Sequence, residues 1–108
     1  MAVSTIKALE TMGSATRLMG SQGGIEWHRV GKIITLTGYI QLTATASSGS
    51  ELFSGLPVPA ISDIAPLSTI NSSTGTIEIC YARNGKLYNS GSWASGLHRI
   101  SGSYVENI

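Results

Sequence analysis

The chain reads as an all-β protein: an antiparallel Greek-key β-barrel or sandwich of about seven short strands. Three observations predict it. Gly, Ser and Thr make up 39 of the 108 residues, a share that suits many turns joining short strands. The 42% hydrophobic residues are spread along the chain, which supplies a core and excludes a disordered polymer. Over much of the length, apolar and polar residues alternate with period two, the signature of half-buried strands.

The stretch Met1 to Gly23 has a different texture. Apolar residues fall at Val3, Ile6, Leu9, Met12, Ala15 and Leu18, a spacing of three that matches neither a helix nor a strand. Two readings stand open: a short helix from about Ser4 to Met12 stopped by Gly13, or a threefold-wrapped stalk. Either makes residues 1–23 a linker or stalk end. The turn-like string Gly20-Ser21-Gln22-Gly23-Gly24 then marks the boundary with a β domain over 24–108.

Within that domain, Ile25 and Trp27 alternate with Glu26 and His28, which places Trp27 in the core. Val30-Gly31-Lys32 supplies a tight reversal. In the next strand Ile34, Leu36, Ile40 and Leu42 share one face, while Thr35, Thr37, Tyr39 and Gln41 share the other, and that parity sets the register. Glu51 to Leu56 is a short strand ended by Pro57 and Pro59, which cannot donate to a ladder. Ile64 to Ile70 is extended. Thr76 to Arg83 and Lys86 to Asn89 flank Asn84-Gly85, a pair suited to a type I′ hairpin turn. Counting outward pairs Arg83 with Lys86, Ala82 with Leu87, Tyr81 with Tyr88 and Cys80 with Asn89. The apolar face of the first of these strands is taken as Ile77, Ile79 and Tyr81, with Cys80 opposite, either in the core or at an interface. A Gly/Ser loop over Ser90–Gly96 leads to a closing strand from Leu97 to Val105.

Composition narrows the function. Charged residues are only 12% of the chain and the net charge is +1, which argues against a nucleic-acid partner. One cysteine makes no intrachain disulfide, and the acids and histidines show no metal-ligand spacing. No apolar run approaches the ~20 residues of a membrane helix, so no membrane insertion is expected. Neither a nucleophile elbow nor paired acids are visible, so the chain is expected not to be an enzyme and to need no cofactor. Asn71-Ser72-Ser73 fits a glycosylation sequon, but in a Ser-rich chain such a triplet carries no weight.

The candidate site is a cluster near the C-terminus: Tyr88, Asn89, Trp93, His98 and Arg99. Trp93 sits in a Gly/Ser loop with only Ala94 as an apolar neighbour, which reads as a solvated indole beside hydrogen-bonding groups. Sugars offer C–H faces to aromatic rings and hydroxyls to fork-shaped donors. The bland alternative folds Trp93 over the edge of the core. The strand faces that carry Thr, Gln, Tyr and Glu rather than Lys suit burial against another subunit.

Several segments taken in order resemble a phage module. They are Trp27-His28-Arg29-Val30-Gly31-Lys32, Leu52-Phe53-Ser54-Gly55-Leu56-Pro57, Ile77-Glu78-Ile79, Asn84-Gly85-Lys86-Leu87-Tyr88 and Ile100-Ser101-Gly102-Ser103-Tyr104-Val105. Together they are similar to the C-terminal head domains of receptor-binding proteins at the tail tips of phages of Gram-positive bacteria, lactococcal siphophages in particular. The resemblance covers about Gly24 to Ile108. It implies a homotrimer on the virion, made in the host cytoplasm, that binds a bacterial cell-surface saccharide and other tail or baseplate proteins without catalysis. Matching the family's pocket by residue type implies roles for Trp93, His98, Arg83 or Arg99, and Asp63. Weak single sites would be multiplied by trimerisation. The alternative is a structural baseplate or fibre-knob protein without its own glycan site.

Overall fold

The computed structural model describes residues 10–59 and 64–107. Its elements are β1 (Glu10–Arg17), β2 (Gln22–Val30), β3 (Ile33–Leu42), β4 (Glu51–Ser54), β5 (Ala65–Asn71), β6 (Ile77–Arg83), β7 (Lys86–Ser90) and β8 (Gly96–Val105). All pairings are antiparallel. They close into one barrel in the order β1-β2-β3-β8-β5-β6-β7-β4. Closure removes the unpaired edges that two separate sheets would leave.

The two hairpins follow their local chemistry. Gly31 takes φ 62 while Lys32 stays out of the positive region, and Val30 pairs with Ile33 across them. Asn84 and Gly85 take φ 52 and 81, the two positive values that a type I′ turn requires. The pairs Arg83–Lys86, Ala82–Leu87, Tyr81–Tyr88 and Cys80–Asn89 follow as counted. Inside the barrel, Ile34, Leu36, Ile40 and Leu42 are fully buried, as the parity of β3 demands.

Three expectations change. The stretch expected as a linker contributes β1, which pairs with β2 over six positions and closes the barrel against β4. The barrel therefore has eight described strands rather than seven, and of Gly20–Gly24 the first two residues lie in the reversal between β1 and β2 while the rest open β2. The expected helix falls outside the described residues up to position 9, and its end, Glu10–Met12, is strand. Trp27 keeps the inward parity of Ile25 and packs against the core, half-buried at its edge. Its indole lies over Gly13, where a Cβ would come within 2.3 Å of the ring. The Arg29 guanidinium also lies beside it, 5.1 Å from a ring centroid.

The third change concerns β6. Cys80 and Ala82 face the core, while Ile77 and Ile79 are exposed by 75% and 54%. The hairpin register is the cause, because directly paired residues share a face. Leu87 is the one aliphatic residue of β7 and goes inside, so its partner Ala82 must follow, and with it Cys80. Burial, the largest influence, raises the Cys80 thiol to about 11, partly offset by the Thr69 hydroxyl 3.2 Å away. The thiol is therefore protonated at neutral pH and inert.

The lower end is tied by polar contacts. Arg29 donates a forked pair of hydrogen bonds to Glu106 and a further one to Thr11. Tyr104 donates to the Pro57 carbonyl at 2.7 Å. Burial foremost, then the Glu106 charge, pushes the Tyr104 phenol upward.

Candidate functional site

The residues singled out from sequence divide between two environments. Trp93, expected to be solvated, is only 1% exposed. A two-way backbone bridge to Ala46, with N···O distances of 2.8 and 2.9 Å, pulls its loop over the barrel end. The indole stacks on His98 at 4.8 Å between centroids and 14° between planes. His98 is itself fully buried, with Nε2 donating to the Ala94 carbonyl at 2.7 Å and Nδ1 lying 2.7 Å from Glu78 Oε1.

Asn89 is buried as well. Its Oδ1 accepts from the Ser50 amide at 2.8 Å, and its Nδ2 reaches the carbonyls of Ala46, Ser47 and Gly91. One side chain thus satisfies backbone groups from both loops that cap this end. Trp93, His98 and Asn89 form a polar lining to the core that a ligand outside the barrel does not reach.

The remaining candidates lie elsewhere. Tyr88 is half-buried on the outer face and stacks on Tyr81 at 5.2 Å. Arg83 is exposed at the hairpin end. Arg99 is exposed on β8, paired across the ladder with Tyr39. Asp63 lies outside the described residues. Tyr88 and Asn89, like His98 and Arg99, are consecutive in a strand and so point to opposite faces. Asn71 of the sequon is buried, and its Oδ1 accepts from the Ser73 amide.

A different site emerges on the outer face of β1, β2 and β3. It is a groove of about 470 Å³ whose lining includes Ser14, Glu26, Thr37 and Tyr39, with Gly23, Gly24 and Gly38 along its floor. Ser14, Glu26 and Thr37 sit side by side across the three strands. Tyr39 is paired with Gly24. Aromatic rings often lie over a cross-strand glycine, but here a Cβ on Gly24 would meet no atom within 4 Å. Tyr39, 37% exposed, thus lines the groove while leaving the space above Gly24 open.

The other two glycines are required by close approach. A Cβ on Gly38 would lie 2.0 Å from the Gly24 carbonyl oxygen, and one on Gly23 would lie 2.4 Å from that of Tyr39. Of the three, Gly24 alone has the outward parity, opposite Tyr39, and its missing side chain opens the groove; Gly23 and Gly38 pair with the buried Ile40 and Ile25 and let the backbones approach. The sequence signals of the groove were the glycine inside the β3 pattern, which marks close backbone approach, and Tyr39 on an otherwise hydroxylic face.

Two further features of the surface bear on partners. Ile70, Ile77 and Ile79 are exposed side by side on β5 and β6. Across the sheet Ile79 is followed by the small residues Ser68 and Ser101, whereas Ile70 is paired on β8 with the exposed Arg99, so the apolar patch ends at a cation there. Among the described residues, no group of three His, Cys, Asp or Glu side chains is placed to hold a metal ion, and no helix is long and apolar enough to cross a membrane. No protein-family model matches the chain, and no curated protein is significantly similar to it.

Proposed function

We propose that the protein is a non-enzymatic adhesion module of a phage tail that recognises a bacterial cell-envelope saccharide. The observation that carries this reading is the groove: an exposed tyrosine, two hydroxyls and a carboxylate beside a glycine floor. That combination offers a C–H face of a sugar its platform and the sugar hydroxyls their partners. The resemblance of the ordered motifs to phage head domains supplies the biological setting.

On this reading the module works as a homotrimer whose strand order, with β8 between β3 and β5 and β4 between β1 and β7, is a Greek-key variant. The exposed isoleucine face of β5 and β6 supports burial against further copies. Three weak sites on one trimer raise avidity by about 10² to 10⁴ over a single site.

Retention of labelled protein on Gram-positive cells tests the reading. The Tyr39→Ala variant should keep its melting temperature and lose retention; equal retention of both proteins would overturn the assignment of the groove. Light scattering should give three times the 11.3 kDa chain mass.

The same isoleucine face favours the second reading, a structural baseplate or fibre-knob protein. Recovery of tail proteins in pull-downs, with no retention on cells, would select it.

A further inference from the structure

The chemistry of the groove is one-sided. Among the described residues, no Lys, Arg or His lines it, and Glu26 is its one carboxylate. The ion pairs among the described residues are Arg29–Glu106, Lys86–Glu51 and His98–Glu78, so Glu26 belongs to none of them. Two cations border the groove without lining it. Arg17 turns its guanidinium to the Gly23 carbonyl at 3.4 Å, and Arg99 stands one strand beyond Tyr39.

A neutral sugar is best held by groups that both donate and accept in fixed forks, such as Asn or Arg beside an acid. Here a carboxylate, which only accepts, is joined by two hydroxyls and by an aromatic face that attracts cations through its quadrupole. We infer that the groove is selective for a sugar carrying an unacylated amino group, its ammonium bonded to Glu26 and its ring laid on Tyr39. This rests on the saccharide reading above and narrows it to one substrate class.

The structure also supplies a blocking variant. Gly24 lies within β2, outside the positive φ region, and a Cβ there meets nothing within 4 Å. Gly24→Thr therefore fills the groove with a residue that strands favour.

The experiment is a titration of the full chain, followed by amide and Tyr39 ring shifts, with two probes: the β-1,4-linked trisaccharide of glucosamine and its N-acetylated counterpart. The amine should bind about five- to tenfold more tightly, from one exposed ion pair and one cation–π contact. Glu26→Gln should lower that preference to about twofold, the share left to the cation–π contact, and Gly24→Thr should abolish binding of both probes with an unchanged far-ultraviolet spectrum.

Equal or tighter binding of the acetylated probe, or an unaltered preference in Glu26→Gln, would overturn the inference and leave the saccharide reading standing. Failure of both probes also overturns the inference. Cell retention then separates the two ideas: if it persists and Gly24→Thr removes it, the groove binds another saccharide, such as an acidic one reached by Arg99. If retention persists in Gly24→Thr, the groove reading falls as well.

Discussion

The capped end of the barrel and the groove on β1–β3 use opposite means. At the capped end, Trp93, His98 and Asn89, residue types often met in binding sites, are spent on the fold. They stack, bridge and satisfy backbone groups in a space without solvent. In the groove the prominent feature is absence, one glycine, Gly24, that leaves room opposite a tyrosine, with Gly23 and Gly38 bringing the backbones close beneath it. A conspicuous side chain in a loop is thus a poor guide to a site when that loop can fold back over a barrel mouth. The buried polar residues hold the capping loops in place, while the groove sits on ladder backbone that needs no such help.

The sharpest way to break this comparison is Trp93→Ala. A buried indole replaced by alanine should cost about 3–5 kcal/mol, read as a fall in the chemical denaturation midpoint. A midpoint unchanged in that variant would put the indole outside the core.

Asn89→Ala should come next. It strips partners from one amide and three carbonyls, at about 1–3 kcal/mol for buried groups left unsatisfied. Hydrogen exchange should accelerate at Ser50 and Gly91 before the β3 ladder, and uniform acceleration would deny that the cap is a local unit.

Alkaline titration sharpens the contrast from the interior side. Tyr104 has its phenol raised in the folded state, whereas an unfolded tyrosine titrates near ~10. Its stabilising contribution is therefore complete below about pH 10 and is lost above it, because the unfolded chain releases the proton first. Tyr104→Phe should flatten this alkaline decline, and an identical pH profile in that variant would count against it.

The smallest effect on stability belongs to the groove. Gly24→Thr should change it by less than about 1 kcal/mol, toward greater stability through strand propensity and a less flexible unfolded chain. A large loss would mean that β2 approaches a neighbour at Gly24 as it does at Gly23.

Much of the ladder was legible in the residues. The turns at Gly31-Lys32 and Asn84-Gly85 need the positive φ that their glycines and Asn84 provide, and the apolar parity of β3 is unambiguous. The inward face of β6 was legible too: the Ala82–Leu87 pair follows from the turn, and pairing forces a shared face. Counting isoleucines on β6 alone pointed the other way. The site was far less legible. Tyr88 with Asn89, and His98 with Arg99, are neighbours in the chain, and a strand sends such neighbours to opposite sides of the sheet.

By itself, then, the sequence determined an all-β chain, its two tight hairpins and their registers, because these depend on local φ preferences and on period-two patterning. Tertiary structure alone decided that β1 closes the barrel, that Trp93 turns inward through Ala46, and that Gly23, Gly24 and Gly38 line one groove. Each of those outcomes depends on which distant backbone a segment meets. Pairing partners far apart in the chain, such as β4 with β1, are selected by the joint fit of all eight strands, and no local window of residues contains that fit.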